Sequence, residues 1–286
     1  MQQVAAIQMI SGPDVAANLQ RAGELIADAA ECGAQLLLLP ECFAVFGNPD
    51  LADVAQEEIS GARPIQRFLA EQAAQHGVWL VGGSIPLPRE PGKKAMAACL
   101  VFDDQGREVA RYDKLHLFDV EVADSQRSYQ ESRDYDYGDQ VVCIDTPVGR
   151  VGLSICYDLR FAELYLALSR AGADLIVVPS AFTAVTGAAH WEVLLRARAI
   201  ETQCYILAAN QGGLHPGGRE TFGHSCLIDP WGEIQHVITE GEGVICGPLD
   251  LDYLKSVRQR MPVAQHRRFA AADTLVPAAK EFAHHE

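Results

Sequence analysis

GLSICYDLRF, residues 152–161, changes character in its middle. Small and apolar residues run from Gly152 to Ile155 as a buried strand would, and Cys156 closes the run. Tyr157, Asp158 and Arg160 follow at once, and a helical pattern takes over across 161–171. In α/β architectures, side chains at the carboxyl ends of strands converge on a common crevice. A thiol at such an end is therefore a candidate for chemistry as well as for packing.

Working outward, the same alternation recurs. VAAIQM (4–9) leads into a pattern with Leu19, Ala22, Ile26 and Ala30 at helical spacing, which stops at Gly33. AQLLLLPE then reads as a strand covered on both faces. A helix over about 63–76 precedes VWLVGGSI, and AMAACLVFDDQGREVARYDKL reads as a hairpin turning at Asp104-Gln105-Gly106. Residues 119–140 read as an irregular polar segment. Beyond them come a strand pair ending at Cys156, the helix 161–171, DLIVVPSAF, a helix over 189–202, CYILAANQG, and a closing pair that turns at DPWG. The two halves look alike, without a tight sequence repeat. No linker interrupts them, so a single domain over 1–270 is expected, with 271–286 as a C-terminal tail. The fold class is α/β, two sheets face to face with helices outside. A single doubly wound sheet is the alternative, but Gly82-Gly83 and Gly212-Gly213 fit neither nucleotide-binding glycine pattern.

Composition narrows the partners. The 286 residues carry a net charge of −15, which opposes binding to nucleic acid; the compact basic run is His266 to Arg268. No apolar run approaches a membrane span, and the N-terminus lacks a basic leader, so a cytoplasmic protein is expected. The eight cysteines never approach the spacing of a zinc or iron-sulfur site, so no metal and no cofactor are expected. Most of them read as small hydrophobes.

Three strand ends carry reactive side chains: Glu41 after LLLLP, Lys114 after EVARYD, and Cys156. A free thiol has a pKa near 8.5, so attack at neutral pH needs a base, a task that suits Glu41. Addition to a carbonyl creates an oxyanion, which Lys114 and the backbone N–H of Tyr157 can stabilise. The product is a thioester that water then cleaves. Taken one at a time, Glu41 reads equally as a helix cap, Lys114 as a solvated edge charge, and Cys156 as strand filler.

LLLLPECF, RYDKLHLFD and VGLSICYDLRFAELYLAL, in that order, resemble the three signature regions of the nitrilase superfamily of carbon-nitrogen hydrolases. The resemblance covers nearly the whole chain. It implies a four-layer αββα sandwich, metal-free hydrolysis of an amide or nitrile, a homodimer or larger homo-oligomer, and a further glutamate, Glu131, that holds Lys114 or shares its proton. HWEVLLRARAIETQCYILAANQGG and GHSCLIDPWGEI look most like the deaminated glutathione amidases, with omega-amidases close behind. That likeness implies a small amide substrate carrying carboxylates, cleaved to 2-oxoglutarate and cysteinylglycine. The alternatives are 2-oxoglutaramate, a nitrile, or an N-carbamoyl amino acid. Leaving-group specificity is expected in GGLHPGGRETFGHS. Arg160 is the expected carboxylate anchor, unless it pairs with Asp158 or Glu163. Ser180, Thr183 and His190 complete the expected substrate-binding set, His190 being otherwise a helix-start histidine packed on an aromatic. A second class of function is a non-catalytic module, either a scaffold that keeps the fold after losing the chemistry or a thiol sensor, which requires Cys42 to resolve Cys156.

Overall fold

A computed structural model describes residues 1–48, 50–124 and 126–269; the expected tail over 271–286 lies outside them. The first half of the chain runs β1 (Gln2–Gln8), α1 (Val15–Glu31), β2 (Leu36–Leu38), α2 (Leu51–Ile59), α3 (Pro64–His76), β3 (Trp79–Val81), β4 (Ile85–Pro88), β5 (Ala95–Phe102) and β6 (Glu108–Asp113). β1, β2 and β3 pair in parallel, β5 returns antiparallel to β3, and β4 and β6 both pair with β5. A short hairpin, β7 (Asp119–Glu121) with β8 (Ser128–Gln130), and a two-residue strand, β9 (Tyr135–Asp136), follow.

The second half runs β10 (Cys143–Thr146), β11 (Gly149–Leu153), α4 (Ala162–Arg170), β12 (Leu175–Ser180), α5 (Ala184–Thr202), β13 (Tyr205–Asn210), the hairpin β14 (Gly212–Leu214) with β15 (Glu220–Phe222), β16 (Ser225–Ile228) and β17 (Ile234–Ile238). β11, β12 and β13 are parallel and β16 is antiparallel to β13, repeating the order of the first sheet. β18 (Gly243–Leu249) then crosses back to pair antiparallel with β1, as β10 does with β11. α6 (Leu251–Arg260) and α7 (Val263–His266) close the described chain.

Alternation along the strands builds the layers. Val4, Ala6, Leu36 and Leu38 join the core shared with Val151, Leu153 and Val177 of the second sheet. Their neighbours Ala5, Ile7, Leu37 and Leu39 pack instead with Leu25 and Ile26 of α1 and Ile65 and Leu69 of α3. Each central strand is thus apolar on both faces, and its sequence reads as a continuous apolar run. With α4 and α5 outside the second sheet through Leu164, Leu168, Trp191 and Leu195, the architecture is the four-layer αββα sandwich. Among the described residues no helix is long and apolar enough to cross a membrane.

Three local expectations need correction. The helix expected from 189 begins at Ala184, because Thr183 caps it: its Oγ1 accepts the Thr186 N–H at 3.3 Å. The segment over 119–140, expected to be irregular, holds β7, β8, a 3-10 turn at Glu131–Arg133, and β9. α2, the β14–β15 hairpin and β18 lie where no element was expected.

Candidate active site

Each of the three strand ends delivers its side chain to one cavity of about 220 Å³, which Glu41, Lys114, Glu131 and Cys156 all line. Lys114 is the centre of that group, and only 1% of it is exposed. Its Nζ donates to Glu41 Oε1 at 2.7 Å and to both Glu131 oxygens, at 3.0 and 2.9 Å. Burial opposes the charge on Lys114, but Glu131 and Glu41 more than offset it and hold its pKa well above the ordinary value. Glu131 also accepts the Phe118 N–H at 2.6 Å through Oε2. Burial raises its pKa, with Lys114 opposing the rise and Glu41 adding to it.

Cys156 occupies the left-handed region at φ 47°, where a residue with a Cβ is strained. It opens a 3-10 turn, Cys156–Arg160, separated by two residues from the end of β11. Tyr157 lies in the first turn, so its N–H is among the donors that a helix start leaves without an internal acceptor. Burial first, and then the charge and hydrogen bond of Glu41, push the Cys156 thiol well above its ordinary pKa. Burial and Glu41 thus both favour the neutral thiol at Cys156.

Asp158, considered beforehand only as a partner for Arg160, is fully buried and accepts four hydrogen bonds. The donors are Tyr112 Oη (2.6 Å), Ile155 N (2.9 Å), His116 N (3.1 Å) and the His116 ring at Nδ1 (2.7 Å). It ties the lysine loop to the Cys156 turn. Gln211 does the same for the glutamate loop, donating to the Glu41 carbonyl at 3.1 Å and to Ser11 Oγ at 2.9 Å. Arg198 braces the turn from behind through two bonds to the Leu159 carbonyl, at 3.0 and 2.8 Å. The sequence signal for Asp158 and Gln211 was the one used for Cys156, a polar residue just past an apolar strand.

The expected substrate-binding residues separate. Arg160 lines the cavity and pairs with neither Asp158 nor Glu163; its Nη1 lies 3.2 Å from His190 Nδ1. His190 is exposed, inside α5 rather than at its start, and reaches the cavity only through Arg160. Ser180 and Thr183 are buried and do not line it. Ser180 Oγ turns back to the Val178 carbonyl at 3.4 Å, and Thr183 caps α5. Both hydroxyls serve the scaffold, because the residues that follow β12 into the cavity are Ala181, Phe182 and Thr186. The aromatic wall of Phe118, Tyr129 and the Tyr157 ring was not expected from the sequence, and Arg219 lies in the stretch 212–225 expected to carry leaving-group specificity without being singled out there. Cys42 also lines the cavity, at φ 56°, and burial raises its thiol to about 12.

This arrangement has relatives. The pattern described as carbon-nitrogen hydrolase matches residues 3–259. The deaminated glutathione amidase of Yersinia enterocolitica is 43% identical over 276 residues, 96% of this chain and 95% of that protein. Among solved structures, Saccharomyces cerevisiae Nit3, a member of branch 10 of the nitrilase superfamily, is 33% identical with a TM-score of 0.84, covering 94% of this chain and 97% of that one. A mutant amidase from Nesterenkonia sp. AN1, 28% identical with a TM-score of 0.76 over 93% of this chain and 100% of that one, carries acrylamide added at its active-site cysteine. By the extent of these matches, the chain belongs to the carbon-nitrogen hydrolase family, within the nitrilase superfamily.

Proposed function

We propose that the chain is an amidase that hydrolyses deaminated glutathione to 2-oxoglutarate and cysteinylglycine through a thioester on Cys156. The observation that carries this reading is the convergence of a buried ammonium, two carboxylates and a thiol on one cavity, with Lys114 Nζ 2.7 Å from Glu41. On this reading Glu41 takes the Cys156 proton as sulfur adds to the amide carbon. Lys114 and the Tyr157 N–H receive the oxyanion. Glu41 then protonates the leaving amine, the C–N bond breaks, and the thioester remains. Water, deprotonated by Glu41, attacks the thioester; the acid leaves and the thiol recovers its proton. Glu131 keeps Lys114 charged and in place. The raised thiol pKa supports a proton transfer coupled to attack rather than a resting thiolate.

The name of the Yersinia relative supports the choice of substrate, and Arg160, which lines the cavity and pairs with neither Asp158 nor Glu163, supports an acyl half that carries a carboxylate. Burial of Cys42, which disfavours its thiolate, weighs against the sensor reading. All eight cysteines are free, which supports a reducing compartment such as the cytoplasm. The chain is also expected to work as a homo-oligomer. Specificity constants for deaminated glutathione and 2-oxoglutaramate, measured alongside a nitrile panel, test the assignment. The first is expected to be highest, and a preference for any nitrile contradicts it.

A further inference from the structure

Three arginines border the cavity. Arg133 pairs with Asp134 at 3.2 Å, whereas among the described residues neither Arg160 nor Arg219 has a carboxylate within ion-pair distance. Each guanidinium is held between two aromatic rings. Arg160 lies over Tyr157 (5.7 Å) and Phe182 (5.3 Å), and Arg219 over Phe46 (4.7 Å) and Tyr129 (4.9 Å). Arg219 projects from the β14–β15 turn, which is closed by the His215 N–H to the Arg219 carbonyl at 2.8 Å. His215 is in turn fastened to the Ser11 carbonyl through Nδ1 (2.8 Å) and to Thr221 Oγ1 through Nε2 (2.7 Å). Arg219 Nη2 donates to the Ala181 carbonyl at 3.2 Å, while its buried Nε finds no acceptor among the described residues. Asp124 is engaged by the Tyr129 hydroxyl and by the N–H groups of Gln126 and Arg127. Nε itself has no exposed surface, so an anion in the cavity would meet the terminal nitrogens of this half-buried guanidinium.

The two cations stand at opposite ends of an aromatic wall. Tyr129 packs on Phe118 at 5.2 Å, and Phe118 packs on Tyr157 at 5.1 Å. The chemistry gives the wall a direction. The Tyr157 N–H serves the carbonyl oxygen, and Arg160 stacks on the Tyr157 ring. Glu41 must reach the leaving nitrogen, and Phe46, five residues further along the same loop, carries Arg219.

We infer that Arg219 binds the carboxylate of the leaving group, so that the cavity takes amides whose amine half is an amino acid or short peptide with a free C-terminus, while Arg160 holds the acyl carboxylate. This rests on the amidase reading above and names the subsite that would separate such a substrate from one releasing ammonia.

The test compares deaminated glutathione with its C-terminal carboxamide, using the wild type, Arg219→Gln, Arg219→Lys and Arg160→Gln. For the wild type, amidation is expected to lower kcat/KM about 10- to 100-fold, the range for a hydrogen bond to a charged group. The loss is expected in KM, because the contact is remote from the reacting carbon. Arg219→Gln is expected to bring the acid down to the level of the carboxamide and erase the ratio. Arg219→Lys should restore part of it, and Arg160→Gln should lower both substrates while keeping the ratio. A wild type that treats acid and carboxamide alike, or an Arg219→Gln enzyme that keeps the wild-type ratio, overturns the inference while leaving the amidase intact. A wild type that hydrolyses neither removes the deaminated glutathione assignment and this subsite with it.

Discussion

On the proposed mechanism, the protonation of Cys156 decides what kind of nucleophile it is. Its surroundings favour the thiol: burial and the Glu41 charge raise the pKa, and Lys114 only partly counters them. Alkylation by iodoacetamide without substrate is therefore expected to keep accelerating as pH rises through the ordinary thiol range near 8.5, since the thiolate fraction is still growing there. A plateau below pH 7 would mean a preformed thiolate and remove the coupled transfer. Glu131 has a different task. Glu131→Gln keeps an acceptor for the Phe118 N–H but withdraws one of the two charges facing Lys114. A fall in kcat of about 100-fold, comparable to loss of an oxyanion donor, is expected with little change in thermal midpoint. Unchanged kcat would make Glu131 a bystander.

At the scale of elements, the cavity depends on how closely α5 approaches the β14–β15 hairpin. Gly187 permits that approach: a Cβ there would fall 2.2 Å from the Cβ of Phe222 on β15. Gly187→Ala must push helix and hairpin apart, at a cost of about 1–3 kcal/mol. The measurement is a denaturant midpoint together with the KM for deaminated glutathione. The expected outcome is a lower midpoint and a raised KM, because the hairpin carries Arg219; a wild-type midpoint contradicts the packing account. This is also where sequence reading ran short. The parallel strands were legible because both faces are buried and the apolar runs are continuous. β14 and β15 are three residues each, with one apolar residue apiece, Leu214 and Phe222, too few to show a period. α5 was cut short because Thr183, Val185, Thr186 and Gly187 disguise its first turns by weak helix propensity. Glu41, Lys114 and Cys156 were legible as strand ends, but their shared cavity depends on loops folded over long separations. The clamps Asp158 and Gln211 do too.

At the scale of the molecule, two sheets of matching order place one strand-end glutamate from the first half against the nucleophile turn of the second, so the site exists only when both halves pack. The outer surface bears on assembly. Val193 and Ile200 lie on one face of α5, 69% and 50% exposed, beside the Asp229–Gly232 turn that carries Trp231 at 47%. An apolar face of this kind suits a self-association surface. Sedimentation is expected to give at least twice the 31.1 kDa of one chain, and Val193→Asp is expected to shift it toward the monomer. A wild-type monomer at micromolar concentration contradicts the expectation.

The central claim is that Cys156 is acylated during turnover, and acid-quenched intact mass spectrometry with peptide mapping tests it most directly. The expected result with deaminated glutathione is one added 2-oxoglutaryl group on the peptide containing Cys156, absent from a folded but inactive Cys156→Ala variant. Undiminished turnover by Cys156→Ala, or an acyl group found on another residue, would contradict it.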